Sequence, residues 1–174
     1  MVAESARGTY LERILANTRE QVEFRKERGL SVDLLEALHE DTEPRTLAPA
    51  LRADDVTIIA EIKRASPSKG SIAPNVPAAE VLRDYIKGGA AAISVLTDDT
   101  FFDGSIGDLK GAAYYMRCLP PRVPILRKDF IIDPFQIEES RAIGADAILL
   151  IVAALGRRPL ETLSFVAKDL NGIE

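Results

Sequence analysis

The stretch Val56-Thr57-Ile58-Ile59-Ala60-Glu61-Ile62-Lys63 decides the fold. It is β-branched and apolar almost throughout, the pattern of a strand covered on both faces, and it predicts a strand over Val56–Ile62. The same rhythm of strand, loop and helix then repeats. Further strands are expected at Ala92–Leu96, Val123–Leu126 and Ala147–Val152, separated by helices at about Pro77–Lys87, Ser105–Arg117 and Pro134–Ile143. Pro77 and Pro134 suit a first helical turn, while Gly88 and Gly144 suit a helix end. The junctions Gly89-Ala90-Ala91-Ala92-Ile93 and Gly144-Ala145-Asp146-Ala147-Ile148 look alike, as repeated helix-to-strand turns would. Strands that each return through a helix make a parallel α/β sheet with right-handed crossovers.

Upstream, Leu11, Ile14, Leu15, Thr18 and Val22 recur at helical spacing between Thr9 and Gly29. Thr9 and Glu12 have the spacing of a capping box, and Gly29 can take the left-handed conformation that ends a helix. A second short helix is expected over Ser31–His39, followed by a loop marked by Pro44 and Pro49. Downstream, a helix at about Pro159–Leu170 runs to Asn171-Gly172 as its stop signal, and the sequence ends where a fifth strand is expected to begin.

Composition bounds what this architecture can do. The chain has 174 residues, 22 Lys+Arg and 27 Asp+Glu, for a net charge of −5. That length suits one ordinary domain but falls short of the ~250 residues of a closed eight-unit α/β barrel. An acidic balance argues against a nucleic-acid partner, which requires a clustered positive field. The one cysteine, Cys118, excludes an internal disulfide and a multi-thiolate metal site, and it reads as packing. The longest apolar run, Ala147–Leu155, is far below the ~20 residues that span a bilayer. The first ten residues carry no secretory apolar core. A cytoplasmic small-molecule protein without membrane or nucleic-acid partners is the expectation.

In parallel α/β folds, function gathers at the carboxyl ends of the strands. The first strand ends on Glu61 and Lys63, which alternation places on one face, and the third runs into Arg127-Lys128-Asp129-Phe130. Such charges either pair structurally or line a wet pocket, because isolated burial costs several kcal/mol or more. The loop Arg64-Ala65-Ser66-Pro67-Ser68-Lys69-Gly70-Ser71 reads as a mobile turn or as a flap over an anionic ligand, and it lacks the spacing of a nucleotide P-loop. Phe101 and Phe102 read as a binding wall or as a cap on the core. His39 is a lone, solvated histidine, and the spacing of Asp98, Asp99 and Asp103 fits no standard calcium loop.

Several of these segments together resemble the indole-3-glycerol-phosphate synthase family. They are Ile59-Ala60-Glu61-Ile62-Lys63-Arg64-Ala65-Ser66-Pro67-Ser68-Lys69-Gly70, Ala90-Ala91-Ala92-Ile93-Ser94-Val95-Leu96-Thr97-Asp98, Phe102-Asp103-Gly104-Ser105, Leu126-Arg127-Lys128-Asp129-Phe130-Ile131-Ile132-Asp133-Pro134, and Gly144-Ala145-Asp146-Ala147-Ile148-Leu149. The resemblance implies a (β/α)8 TIM barrel with an amino-terminal helical extension. Residues 1–52 would form that extension, and residues 53–174 the first half of the barrel, about four parallel β/α units, ending before the fifth strand. It also implies closure of a pyrrole ring on 1-(2-carboxyphenylamino)-1-deoxyribulose 5-phosphate, with loss of carbon dioxide and water and with neither metal nor organic cofactor.

By the same resemblance, Lys128 is the general acid, Lys63 a second cation set to hold the anthranilate carboxylate or relay a proton, and Glu61 the partner of Lys63. Ser66, Pro67 and Ser68 belong to the mobile first loop, while Phe102, Phe130 and Leu149 wall the aromatic moiety. The family's second glutamate, its sixth-strand asparagine and its late phosphate-binding loops fall outside these four units. The chain is therefore expected either to catalyse this reaction or to be an incomplete half-barrel that self-associates or needs a complementary half, its outer strand edges being unpaired. Another phosphate-binding barrel, such as a phosphoribosylanthranilate isomerase relative, fits the lysine-bearing third strand and the Ser-Pro-Ser-Lys-Gly loop less well.

Overall fold

Ala92–Leu96 forms a strand as expected, the second of four that pair side by side in the computed structural model, which describes residues 9–30, 43–52, 56–72, 77–118, 122–170 and 172–174. The expected helix Ser31–His39, and His39 with it, lie outside the described residues. In chain order the elements begin with helix α1 (Tyr10–Arg28), short helix α2 (Leu47–Ala50), strand β1 (Ile59–Ile62) and the two-residue strands β2 (Ala65–Ser66) and β3 (Gly70–Ser71). Then come α3 (Ala78–Lys87), β4 (Ala92–Leu96), short α4 (Asp99–Phe102), α5 (Ile106–Cys118), β5 (Ile125–Lys128) and α6 (Pro134–Ile143). The series closes with β6 (Ala147–Ile148), short α7 (Val152–Leu155) and α8 (Arg157–Phe165), which runs into a π-type turn at Val166–Leu170.

The main sheet has the order β1-β4-β5-β6, and every pair is parallel. Each strand is laid beside the one before it, always on the same side. A doubly wound sheet would reverse direction at a switch point and carry helices on both faces. Here Ile62, Ile93, Val95 and Ile125 pack on one face against Leu82 of α3, Leu109, Ala112, Ala113 and Met116 of α5, and Ile143 of α6. A second cluster joins Ile131 and Ile137 to Leu163, Ala167 and Ile173, with Ile148 and Leu150 against it. The opposite face keeps Glu61, Ser94, Leu96, Leu126 and Lys128.

The two look-alike junctions are the same turn. Ala90 N–H donates to Tyr85 O and Ala145 N–H to Ser140 O, closing each helix; Ala91 N–H then bonds Ile58 O and Asp146 N–H bonds Ile125 O, starting each strand on its predecessor. Gly89 and Gly144, with φ of 84° and 100°, take the left-handed conformation these turns require. At the amino terminus both bonds of the Thr9–Glu12 capping box form, and Ile14, Leu15, Thr18 and Val22 are the buried stripe of α1.

Four expectations need correction. The first strand is shorter than Val56–Ile62 and is not covered on both faces: Val56, Ile58 and Ile59 are 90%, 60% and 40% exposed, because β1 is an edge strand paired, among the described residues, only with β4. The third begins at Ile125 rather than Val123, since Pro124 has no N–H to enter the ladder. The fourth pairs only over Ala147–Ile148, and by Val152 the chain has turned into α7. Cys118 is exposed, being the last residue of α5 and off the face that buries Leu109, Ala112, Ala113 and Met116. Beyond the helix at the end, Glu174 N–H donates to Asp146 O and Ile148 N–H to Glu174 O, the pairing of a parallel neighbour to β6.

Candidate active site

Glu61 and Lys128 lie two strands apart in the sheet, yet their side chains meet. Glu61 faces Ser94 in register, Ser94 faces Leu126, and Leu96 faces Lys128, so all share the helix-free face. Lys63 Nζ donates to Glu61 Oε1 at 2.7 Å, and Lys128 Nζ to Glu61 Oε2 at 3.1 Å. One carboxylate therefore bridges two ammonium groups, an oxygen to each. The side chains of Glu61, Lys63 and Lys128 are 29%, 33% and 36% exposed, so the charges pair where solvent still reaches them. Burial works to raise the Glu61 carboxyl, but the hydrogen bonds and charges of Lys63 and Lys128 outweigh it and hold the group below its ordinary range. With two cations to one anion, the cluster keeps a net positive charge suited to a carboxylate ligand. Tyr85 of α3 donates its hydroxyl to Glu61 O at 3.1 Å and fixes this part of β1 from behind.

The aromatic residues arrive from separate loops. Phe102 ends α4, and Phe130 follows β5; their ring centroids are 6.2 Å apart at 36°, a tilted pair within the usual aromatic range. Asp98 caps α4 by accepting from Phe101 N–H at 2.6 Å, and burial, with Asp129 nearby, pushes its carboxyl up. Asp103 takes a left-handed φ of 54°, turning the chain so that Gly104 N–H reaches Asp98 O at 2.9 Å.

The Ser-Pro-Ser loop forms a small hairpin, Ser66 pairing with Gly70, rather than an irregular turn. Ser66 Oγ accepts from Lys69 N–H at 3.3 Å, and Pro67 and Ser68 lie exposed at its tip. Arg64 anchors the hairpin through a two-pronged bond to Asp108, at 2.6 and 2.8 Å, and a bond to Asp103 O. The hairpin is thereby tied to the loop that carries Phe102. Leu149 is half-buried between Ile148 and Leu150, which pack toward the helices; it joins neither apolar cluster.

Sequence reading overlooked a polar ladder behind the site. Arg127 and Gln136 are 0% exposed, and Thr97, Asp129, Glu139 and Ser140 are buried with them. The signal was available: alternation puts Arg127 on the face of Ile125, where the helices pack, and a charge there must find partners. Also overlooked was the bracing of the site by α1. Gln21 Nε2 donates to Asp99 at 2.7 Å, Asn17 Nδ2 to Thr100 at 3.2 Å, and Lys26 pairs with Asp133 at 3.1 Å. Among the described residues there is no cluster of three His, Cys, Asp or Glu side chains able to hold a metal ion. None of the described helices is long and apolar enough to cross a membrane.

A one-sided parallel β/α sheet with a lysine–glutamate–lysine cluster at its strand ends defines the class: a barrel-type β/α protein with a cationic cluster where such folds gather function. Comparison with known proteins makes it particular. The family model for indole-3-glycerol phosphate synthase matches residues 11–173, and the chain belongs to that family. It is similar to the indole-3-glycerol phosphate synthase of Roseiflexus castenholzii, with 46% identity over 165 residues, covering 94% of this chain and 61% of that protein. The Salinibacter ruber protein of that name is 43% identical over 162 residues, covering 92% and 58%, and that of Bacteroides thetaiotaomicron 41% over 161 residues, covering 92% and 60%. The family fold is the TIM barrel, and the four-stranded parallel sheet corresponds to part of one. The chain spans about three-fifths of the length of these relatives.

Proposed function

We propose that this chain contributes the general-acid half of an indole-3-glycerol-phosphate synthase site, acting in the cytoplasm on 1-(2-carboxyphenylamino)-1-deoxyribulose 5-phosphate. The observation that carries the reading is the carboxylate of Glu61 held between Lys63 and Lys128. Ring closure requires a proton on the ribulose carbonyl as the aromatic carbon attacks it. The Lys128 ammonium, hydrogen-bonded to Glu61, is the donor. Lys63 offers the second positive charge to the anthranilate carboxylate, which leaves as carbon dioxide. Phe102 and Phe130, with Leu149, hold the aromatic moiety so that the reacting carbons stay together, and orientation of this kind lowers an activation barrier by up to about 7–11 kcal/mol. Ser66, Pro67 and Ser68 close over the substrate as a flap tethered through Arg64.

In this reading residues 1–52 are the helical extension and residues 53–174 the first barrel half, and no metal or organic cofactor takes part. The exposed edge at Val56, Ile58 and Ile59 supports a further point, that activity needs a complementary barrel half. The test is a fluorescence assay of indole-glycerol phosphate formation. The chain alone is expected to show no turnover. It should gain turnover when mixed with the separately produced carboxyl-terminal portion of the Roseiflexus castenholzii relative. No product from the mixture defeats the assigned activity, whereas full activity of the chain alone defeats the need for a second half. Light scattering should find the isolated chain self-associated through the β1 edge; a clean monomer would remove that point.

A further inference from the structure

Arg127 precedes Lys128 and points the other way, into the helix-packed side of the sheet. Its side chain is 0% exposed. A guanidinium so placed is tolerable only if its N–H groups find acceptors. Nε donates to Thr97 Oγ1 and Asp129 Oδ2, both at 3.2 Å; Nη2 donates to Asp129 Oδ2 at 2.9 Å. Nη1 donates to Gln136 O at 3.1 Å, Glu139 Oε2 at 2.9 Å and Ser140 Oγ at 3.0 Å. The other oxygen of Glu139 lies 3.1 Å from Arg25 Nε on α1. Charges therefore alternate along the row Arg25, Glu139, Arg127, Asp129, and the row is neutral.

The row ends at the site. Asp129 Oδ1 accepts the N–H of Phe130 at 2.8 Å, and Asp129 Oδ2 accepts the Thr97 hydroxyl at 2.6 Å. Thr97 N–H bonds Lys128 O at 3.2 Å, stitching the ends of β4 and β5 together. Gln136 holds the next turn, donating to Phe130 O at 3.0 Å and accepting from Ile132 N–H at 2.8 Å. Lys128 is thus flanked on both sides by residues clamped behind the sheet. Strand alternation then leaves its side chain one direction, toward Glu61.

We propose that Arg127 is a positioning residue that aims Lys128 at Glu61 and Phe130 at Phe102. Its catalytic meaning rests on the proposed role of Lys128, but its test needs no turnover, so failure of the activity assay and failure of this inference are read separately. Three variants of the full chain are compared with wild type by carbon-13 NMR titration of the Glu61 carboxyl, with folding checked by circular dichroism. Lys128→Met sets the reference, in which Glu61 loses one cation and its midpoint rises. Arg127→Lys keeps the buried charge but loses the planar fork that reaches Asp129 and Glu139 together. Its Glu61 midpoint is expected to rise toward that reference, because the end of β5 is no longer held. The triple variant Arg127→Met, Asp129→Asn, Glu139→Gln leaves no unpaired carboxylate behind and should fold even if Arg127→Lys does not. Replacing one cation and two anions makes the surroundings more positive, which by charge alone would lower the midpoint, so a rise there reports lost positioning. A folded variant at position 127 whose Glu61 titrates as in wild type overturns the proposal. Loss of the fold in both variants overturns it too, since Arg127 would then have no role separable from folding.

Discussion

Gly104 lies where the loop carrying Phe102 doubles back beneath the end of β4. A Cβ built there would sit 2.7 Å from the carbonyl carbon of Leu96, closer still to its oxygen, and 3.1 Å from Asp98 O. All three are backbone atoms of a buried strand end and a helix cap, so none can swing aside as a side-chain tip would. Gly104→Ala therefore forces the loop away from the strand, a cost of about 1–3 kcal/mol for overpacking. The smaller unfolded-state entropy of alanine returns only about 0.4–1 kcal/mol. The clash wins. A net loss of about 1.3 kcal/mol lowers Tm by about 3–5 °C in a chain of this size. Gly111 supplies the internal control: it lies within α5 with no atom within 4 Å of its would-be Cβ. Gly111→Ala should stabilise by about 0.5–1 kcal/mol, the ordinary helix preference for alanine. Both are read by thermal unfolding followed by circular dichroism. The Phe102–Phe130 contact, seen as a ring-to-ring NMR cross-peak, should weaken in Gly104→Ala alone. Equal Tm shifts of the same sign in the two variants would refute the close-approach argument.

Lys128→Met, assayed in the presence of a complementary barrel half, should abolish indole-glycerol phosphate formation while circular dichroism stays unchanged; near-normal turnover would remove Lys128 from the acid role. The Arg64 hydrogen bonds hold the Asp108 carboxyl below its ordinary range against the opposing pull of burial, and Ser105 assists. A depressed folded midpoint stabilises above the unfolded value of ~4 and loses that contribution as pH falls through the folded one. Urea titrations between neutral pH and acid should therefore show a shallower acid loss for Asp108→Asn than for wild type, and parallel slopes would contradict the pairing. Ser94 Oγ, buried opposite Glu61, makes no hydrogen bond within the described structure. Ser94→Ala should accordingly leave Tm unchanged or raise it by a few degrees, up to about 1 kcal/mol; a clear drop would mean that the hydroxyl has a partner.

Much of the fold was legible because it depends on local chemistry. The Thr9–Glu12 box, Pro134 opening α6 and the paired glycine junctions act over a few residues, and each formed where the sequence placed it. The buried strand Ala92–Leu96 was read to the residue, since both its neighbours in the sheet were themselves strands. The edges were less legible. Apolar β-branched composition describes what a segment can do, but how far it pairs depends on what lies beside it: β1 pairs over Ile59–Ile62 with β4, and β6 over Ala147–Ile148 with β5.

The site divides in the same way. Sequence alone determined which residues carry charge at the strand ends and, through alternation, that Glu61 and Lys63 share one face of the first strand and Leu126 and Lys128 one face of the third. It could not decide that the two lysines share the Glu61 carboxylate, because the Lys128–Glu61 contact spans 67 positions of the chain and depends on register across β4. Nor could it pair Phe102 with Phe130 or collect the acceptors of Arg127, drawn from the residue after β4, the loop after β5, and α6. Periodicity tells each residue which way to face; only the packed chain brings residues far apart in sequence within hydrogen-bonding distance.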